Sequence, residues 1–212
     1  VGSITAGGTT NSPEYTPDNA DAGNAVTLDL TVTGLSACNA ETATASYTIN
    51  VNGLPTATIA GSTTICQGSG SPSVTLTGAN GTGPYIFTYT ENGVTNTANS
   101  TGATALLPLS DASAATYTHA LVSVEDANGC SQAQTGNTIV RVNPTASGSI
   151  SGGTTVCQNT ASALTLTGSN GDAPYTFTYS IDGQAPITVN TAGLDNLSLI
   201  HISEPTRPSH IA

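Results

Sequence analysis

Short runs of alternating apolar and polar residues, closed by glycine, asparagine or proline, recur along this chain. The alternation has the period of two that places successive side chains on opposite faces of a strand. Between positions 56 and 143 it predicts seven short strands, at 57–60, 63–66, 73–78, 84–91, 103–107, 116–125 and 136–142. In the fourth, Tyr85, Phe87 and Tyr89 share one face, and Ile86, Thr88 and Thr90 share the other. The aromatic face is expected to be the core face, each ring contributing roughly 2–3 kcal/mol on burial. In the sixth, Tyr117, His119 and Leu121 alternate, but Val122 and Val124 take the opposite phase. A one-residue bulge near Leu121 would reconcile the two halves. Threonine is the most frequent residue, and no stretch joins a helical period to capping signals. The pattern is that of an all-β protein of short strands arranged as a two-sheet sandwich.

The pattern repeats. Residues 61–67 read GSTTICQ and residues 152–158 read GGTTVCQ. Residues 74–89, VTLTGANGTGPYIFTY, return at 164–179 as LTLTGSNGDAPYTFTY. The unit of about 90 residues suits one immunoglobulin-sized sandwich rather than a solenoid coil. Residues 56–143 make one complete unit, and 145–196 are the first part of the next. Residues 1–53 are the second part of a preceding one, because SACNAETATASYTINVN (36–52) parallels NGCSQAQTGNTIVRVN (128–143). The joints, Asn52-Gly53-Leu54-Pro55 and Asn143-Pro144, are short and stiffened by proline.

Charge narrows the function. The chain has two Lys+Arg, both arginine, against 13 Asp+Glu, for a net charge of −11. With only two basic residues to neutralise phosphate, no nucleic-acid partner is expected. The same shortage argues against docking on anionic lipid, and the lack of Lys excludes a phosphate loop. No apolar run reaches the ~18 residues of a membrane span, so no membrane insertion is expected. The chain contains no Met and begins at Val1, as expected of a processed protein or a fragment.

TATIAGSTTICQGSGSPSVTLTGANGTGPYIFTYTENG, ATYTHALVSVEDANGCSQAQ and TIVRVNPTA resemble the PKD-like, Ig-like repeats of giant surface proteins of gliding, type IX-secreting bacteria. Residues 15–38 resemble the end of a sister repeat type in the same proteins, so the resemblance spans about 1–196. It implies tandem Ig-like/PKD-like β-sandwich repeats, export to the cell surface, and an adhesive or spacer role. It implies no catalytic residues and no enzyme activity. A sorting domain expected at the C-terminus of such proteins is absent from this sequence, so type IX export is expected by analogy alone.

The candidate chemistry is sparse. Of the four cysteines, Cys66 and Cys130 lie in the same unit and are the natural disulfide pair. Cys38 and Cys157 are expected to pair outside the sequence given. A Cys66–Cys130 bond would close a loop worth about 4 kcal/mol and would point to an oxidising, extracellular compartment. The alternatives, zinc or a reactive thiol, lack clustered Cys/His spacing. His119 reads as a partly buried strand residue rather than a catalytic base. Two carboxylate loops are candidates for calcium, Asp18 with Asp21 and Glu125-Asp126 beside Asn128-Gly129, but neither supplies the 6–8 oxygens calcium takes. No other cofactor is expected. The expected function is a stalk or spacer segment of an exported repetitive adhesin or filament, its partners being neighbouring repeats. The alternative is an Ig-like module that presents a glycan- or protein-binding site on its loops. The absence of Trp, and rings placed in the repeated core pattern, favour the spacer.

The tail breaks the pattern. LSLIHISEPTR (197–207) departs from the repeat in composition and resembles the conceptual translation of a transposase-type sequencing adapter. Residues 197–212 are therefore expected to be non-native and to pack poorly on the sandwich.

Overall fold

The computed structural model describes residues 1–8, 10–34, 41–153, 155–158 and 160–193, and the backbone of 197–202. Among the described residues the protein is all-β, with one turn of 3-10 helix. Its strands are β1 (Ser3–Ala6), β2 (Glu14–Thr16), β3 (Ala25–Thr33), β4 (Thr42–Asn50), β5 (Thr56–Ala60), β6 (Thr63–Cys66), β7 (Ser73–Ala79), β8 (Ile86–Glu91) and β9 (Val94–Asn99). There follow β10 (Thr104–Pro108), β11 (Ala115–Glu125), β12 (Ser131–Ala133), β13 (Asn137–Asn143), β14 (Ser147–Gly152), β15 (Ser162–Ser169), β16 (Thr176–Tyr179), β17 (Ile187–Asn190) and β18 (Leu197–Ile202). The 3-10 turn is Asn19–Asp21.

The chain groups into two compact units. One holds Val1–Ser62, Ser73–Leu109 and Tyr117–Ile139; the other holds Thr63–Pro72, Ser110–Thr116 and the chain from Val140. In the first, β10-β7-β5 form one sheet, and β11 pairs with β8, which pairs with β9. Alternation puts Val74 and Leu76 of β7, Leu107 of β10, Phe87 and Tyr89 of β8, and Leu121 and Val124 of β11 in the core. The two sheets meet closely where β7 carries no side chain: a Cβ on Gly78 would stand 2.6 Å from the Tyr85 ring. The β8–β9 hairpin turns on Asn92 and Gly93, both at positive φ, the Asn-Gly signature of a two-residue turn whose twist suits the strands. This unit also carries two antiparallel pairs, β1–β2 and β3–β4.

In the second unit β6 runs parallel to the end of β13, Thr63 facing Val140 and Cys66 facing Asn143. Strands β14-β15-β18 form one sheet and β16-β17 another.

The sequence repeat is a repeat of local geometry. Thr56 faces Ala79 in β5–β7, and Ser147 faces Ser169 in β14–β15. Tyr85 donates its hydroxyl to the Gly81 carbonyl at 2.8 Å, and Tyr175 does the same to Gly171. The backbone N–H of Tyr85 donates to Ser100 Oγ, and that of Tyr175 to Thr191 Oγ1. Asn80 and Asn170 both take positive φ before these turns. In both places a Cβ on the glycine beneath the tyrosine ring would stand 2.6 Å from it, Gly78 in one and Gly168 in the other.

All seven expected strands are present, and β9 and β12 add to them. The bulge is there too: the β11–β8 register shifts between Leu121 and Ser123. It turns Val122 outward while Val124 returns to the core. The expectation for the tail needs correction. The backbone of Leu197–Ile202 is a strand paired along β15, Leu197 facing Thr167 and Ile202 facing Ser162. The physical reason is that the outer edge of β15 offers a row of backbone donors and acceptors to any extended segment. Residues 203–212 lie outside the described residues.

Candidate functional site

The cysteines come first, because they carried the main chemical expectation. Cys66, Cys130 and Cys157 have free thiols, and the expected Cys66–Cys130 bond is not formed. The two cysteines are held in separate loops. Cys66 ends β6, and the residues after it bond the loop before β11: Gln67 Nε2 donates to the Ala112 carbonyl and the Gly68 N–H to that of Asp111. Cys130 follows β11, its N–H held by Asp126 Oδ1. Cys38 lies outside the described residues.

His119 is fully buried rather than partly so. Its ring lies 6.1 Å from that of Tyr89, and its Nε2 is 3.6 Å from a carboxylate oxygen of Glu91. Neither ring nitrogen has a hydrogen-bond partner. Among the described residues its surroundings are those of a core side chain. Beside it, burial and then the Glu91 charge push the Tyr89 phenol above its ordinary range.

The two carboxylate loops are organised around single buried aspartates. Asp21 accepts from the Tyr15 hydroxyl at 2.7 Å, the Asp18 N–H at 2.9 Å and the Gly2 N–H at 2.6 Å. The Tyr15 bond, followed by the amides, holds its carboxyl below the usual carboxylate range. The same bond raises the Tyr15 phenol. Asp126 accepts from the N–H groups of Thr82, Asn128 and Cys130, each at 3.0 Å. Burial alone would raise its pKa, but those amides outweigh it and the net shift is downward. Asp126 accepts from protein donors on both carboxylate oxygens, whereas the three bonds to Asp21 all fall on Oδ2. Among the described residues no group of three or more His, Cys, Asp or Glu is arranged to hold a metal.

What the structure does present, among the described residues, is open apolar surface. In the β3–β4 hairpin, Val26 faces Ile49, Leu28 faces Tyr47, Leu30 faces Ala45 and Val32 faces Ala43. The opposite face carries Thr27 with Thr48 and Asp29 with Ser46. The apolar face stands in solvent, with Leu30 58% and Tyr47 71% exposed. An open groove of about 860 Å³ runs along it, bounded by Ile4, Pro13, Leu28, Leu30 and Tyr47. The β14–β17 segment is open as well. Phe177 is half-buried where its counterpart Phe87 is fully buried, and Ile150 is 61% exposed where Ile59 is half-buried.

No protein-family model matches the chain, and no curated protein is detectably similar to it.

Proposed function

We propose that the chain is a stalk or spacer segment of an exported, repetitive cell-surface protein, with no catalysis of its own. The observation that carries this reading is the recurrence of one local strand-and-turn geometry about 90 residues apart. The Tyr85 and Tyr175 turns repeat bond for bond. A repeat whose core pattern is copied while its surface loops differ is suited to setting length and spacing. The rings also support it. Tyr85, Phe87 and Tyr89 are buried, so they offer no stacking platform for a sugar. The surface location and the PKD-like, Ig-like character rest on the resemblance of the repeat motifs, and export by a type IX route belongs to the same proposal. Antibodies against 56–143 should label intact cells of the source organism, and external protease should remove the signal. The purified chain should bind no glycan above background on an array. Saturable binding to one glycan class would replace the spacer with a carbohydrate-binding module.

A further inference from the structure

We propose that two copies of this chain pair through the edge of β9, the two strands running antiparallel about a two-fold axis at Asn96. β9 lies inside the complete repeat, far from either end of the chain, and among the described residues it pairs only with β8. Glu91 faces Val94 across the Asn92-Gly93 turn, and the pairs continue as Tyr89 with Asn96 and Phe87 with Ala98. In a two-residue hairpin the pair beside the turn is hydrogen-bonded, and so is every second pair after it. The end of the strand keeps this phase, the Ser100 N–H donating to the Tyr85 carbonyl at 2.9 Å. The N–H and C=O groups of Val94, Asn96 and Ala98 therefore turn toward β8, and those of Thr95 and Thr97 turn to the free edge. Both threonines are exposed, and Val94 is 65% exposed.

Other edges of the same sandwich are blunted. At β5 the Ala57 N–H donates to Gln134 Oε1 at 3.2 Å, and a Cβ on Gly136 would stand 3.0 Å from Ile59, so the segment after β12 covers that strand. β10 ends in Pro108, which has no N–H to offer. β12 is three residues long. Covering segments, proline and short strands are devices against edge pairing, as are charges and bulges. β9 has none of them. Its sequence, VTNTAN, carries no charge and no proline, and its six residues keep an unbroken register with β8.

The order of side chains along this edge selects a second copy as its occupant. With Asn96 opposite the partner's Asn96, like meets like. Thr95 falls opposite the partner's Thr97, and Val94 opposite the partner's Ala98. Each Thr95–Thr97 pair exchanges both its backbone hydrogen bonds, because these residues point their groups outward. The two Asn96 residues form a non-hydrogen-bonded pair, with Cα atoms about 4.5 Å apart, where side-chain amides can bond each other. On the other face Thr90 already faces Thr95 and Thr88 faces Thr97, so rows of threonine continue across the joint, a pairing that sheets favour. A register centred on Thr97 would instead set Val94 opposite the partner's Ser100 and Thr95 opposite the partner's Asn99. A joint of one strand pair buries less than the roughly 1,200 Å² of a standard interface, so the association is weak. Two-fold symmetry consumes the one open edge of each copy, so growth stops at the dimer. On the stalk reading, neighbouring copies on one surface are joined sideways, many weak joints acting together; the pairing itself does not depend on that reading.

The test uses the whole chain, kept reduced so that its own thiols form no cross-link. Sedimentation equilibrium should show monomer and dimer with a Kd of roughly 100 µM and nothing larger. Thr95→Glu combined with Thr97→Glu sets like charges opposite each other and should leave a monomer. Thr95→Lys combined with Thr97→Glu sets opposite charges across the same pairs and should restore the dimer. Both positions are exposed, so each variant should keep the strand signal of the parent by circular dichroism. The register has its own readout. Asn96→Cys under mild oxidation should join the two introduced thiols, identified by peptide mapping, and Thr97→Cys should do so far more slowly. A monomer up to about millimolar concentration overturns the proposal. So does a dimer that survives the paired glutamates, since the contact then lies elsewhere. Failure of the Lys–Glu variant to restore the dimer also overturns it, and faster cross-linking of Thr97→Cys than of Asn96→Cys overturns the register.

Discussion

Asp126 shows how much of one loop hangs on one side chain. Its carboxylate satisfies three backbone N–H groups from Thr82, Asn128 and Cys130. Asp126→Ala should cost about 1–2 kcal/mol in urea unfolding, since it removes three hydrogen bonds to a charged acceptor at a part-buried turn. The pH dependence follows from the downward shift of its pKa. A carboxyl depressed below its ordinary value of about 3.9 stabilises the fold above that pH and stops doing so as pH falls through the folded value. Asp126→Asn should therefore flatten the loss of stability between about pH 4 and pH 2. An unchanged acid profile would assign that loss to other carboxylates. His119 gives the opposite expectation. Its ring nitrogens are buried without hydrogen-bond partners, so His119→Leu should raise stability by about 1 kcal/mol at pH 8. A fall in the unfolding midpoint would show that the contact with Glu91 matters more than the burial.

Strand β8 and its counterpart β16 carry the same side chains in different surroundings. Phe87 is fully buried and Phe177 half-buried. Phe87→Ala should cost about 3–5 kcal/mol, the range for removing a buried ring. Phe177→Ala should cost less than half of that, because solvent already reaches the ring. Hydrogen exchange read strand by strand separates the two. Equal costs would mean that β16 is as well covered as β8. Glycine makes a related point. Gly78→Ala should destabilise by about 1–3 kcal/mol through overpacking, because the new methyl meets the Tyr85 ring at 2.6 Å. The strands β9 and β12 went unread for separate reasons. β9 was legible in the Asn92-Gly93 turn, a hairpin signal passed over in a segment dominated by threonine and asparagine. β12 has three residues and no periodicity that a sequence window can detect.

At the scale of the molecule the thiols distinguish the structure from the disulfide expectation. Cys66 and Cys157 are exposed and Cys130 half-buried. In the folded chain, without reductant, a thiol reagent should modify Cys66 and Cys157 quickly and Cys130 more slowly. If Cys66 and Cys130 both reacted only after reduction and unfolding, the loops would have to be rearranged.

Alternation by itself determined the strands, the core face at Tyr85, Phe87 and Tyr89, the bulge near Leu121 and the repeat of about 90 residues. Each of these is set by a side chain's own polarity and its distance along the chain. Tertiary structure alone decided which strand neighbours which. It also decided that His119 is wholly enclosed, and that the backbone of Leu197–Ile202 fills an edge on β15. Period two records the face a residue takes. It carries no information about the partner strand, because backbone hydrogen bonds are the same for every sequence.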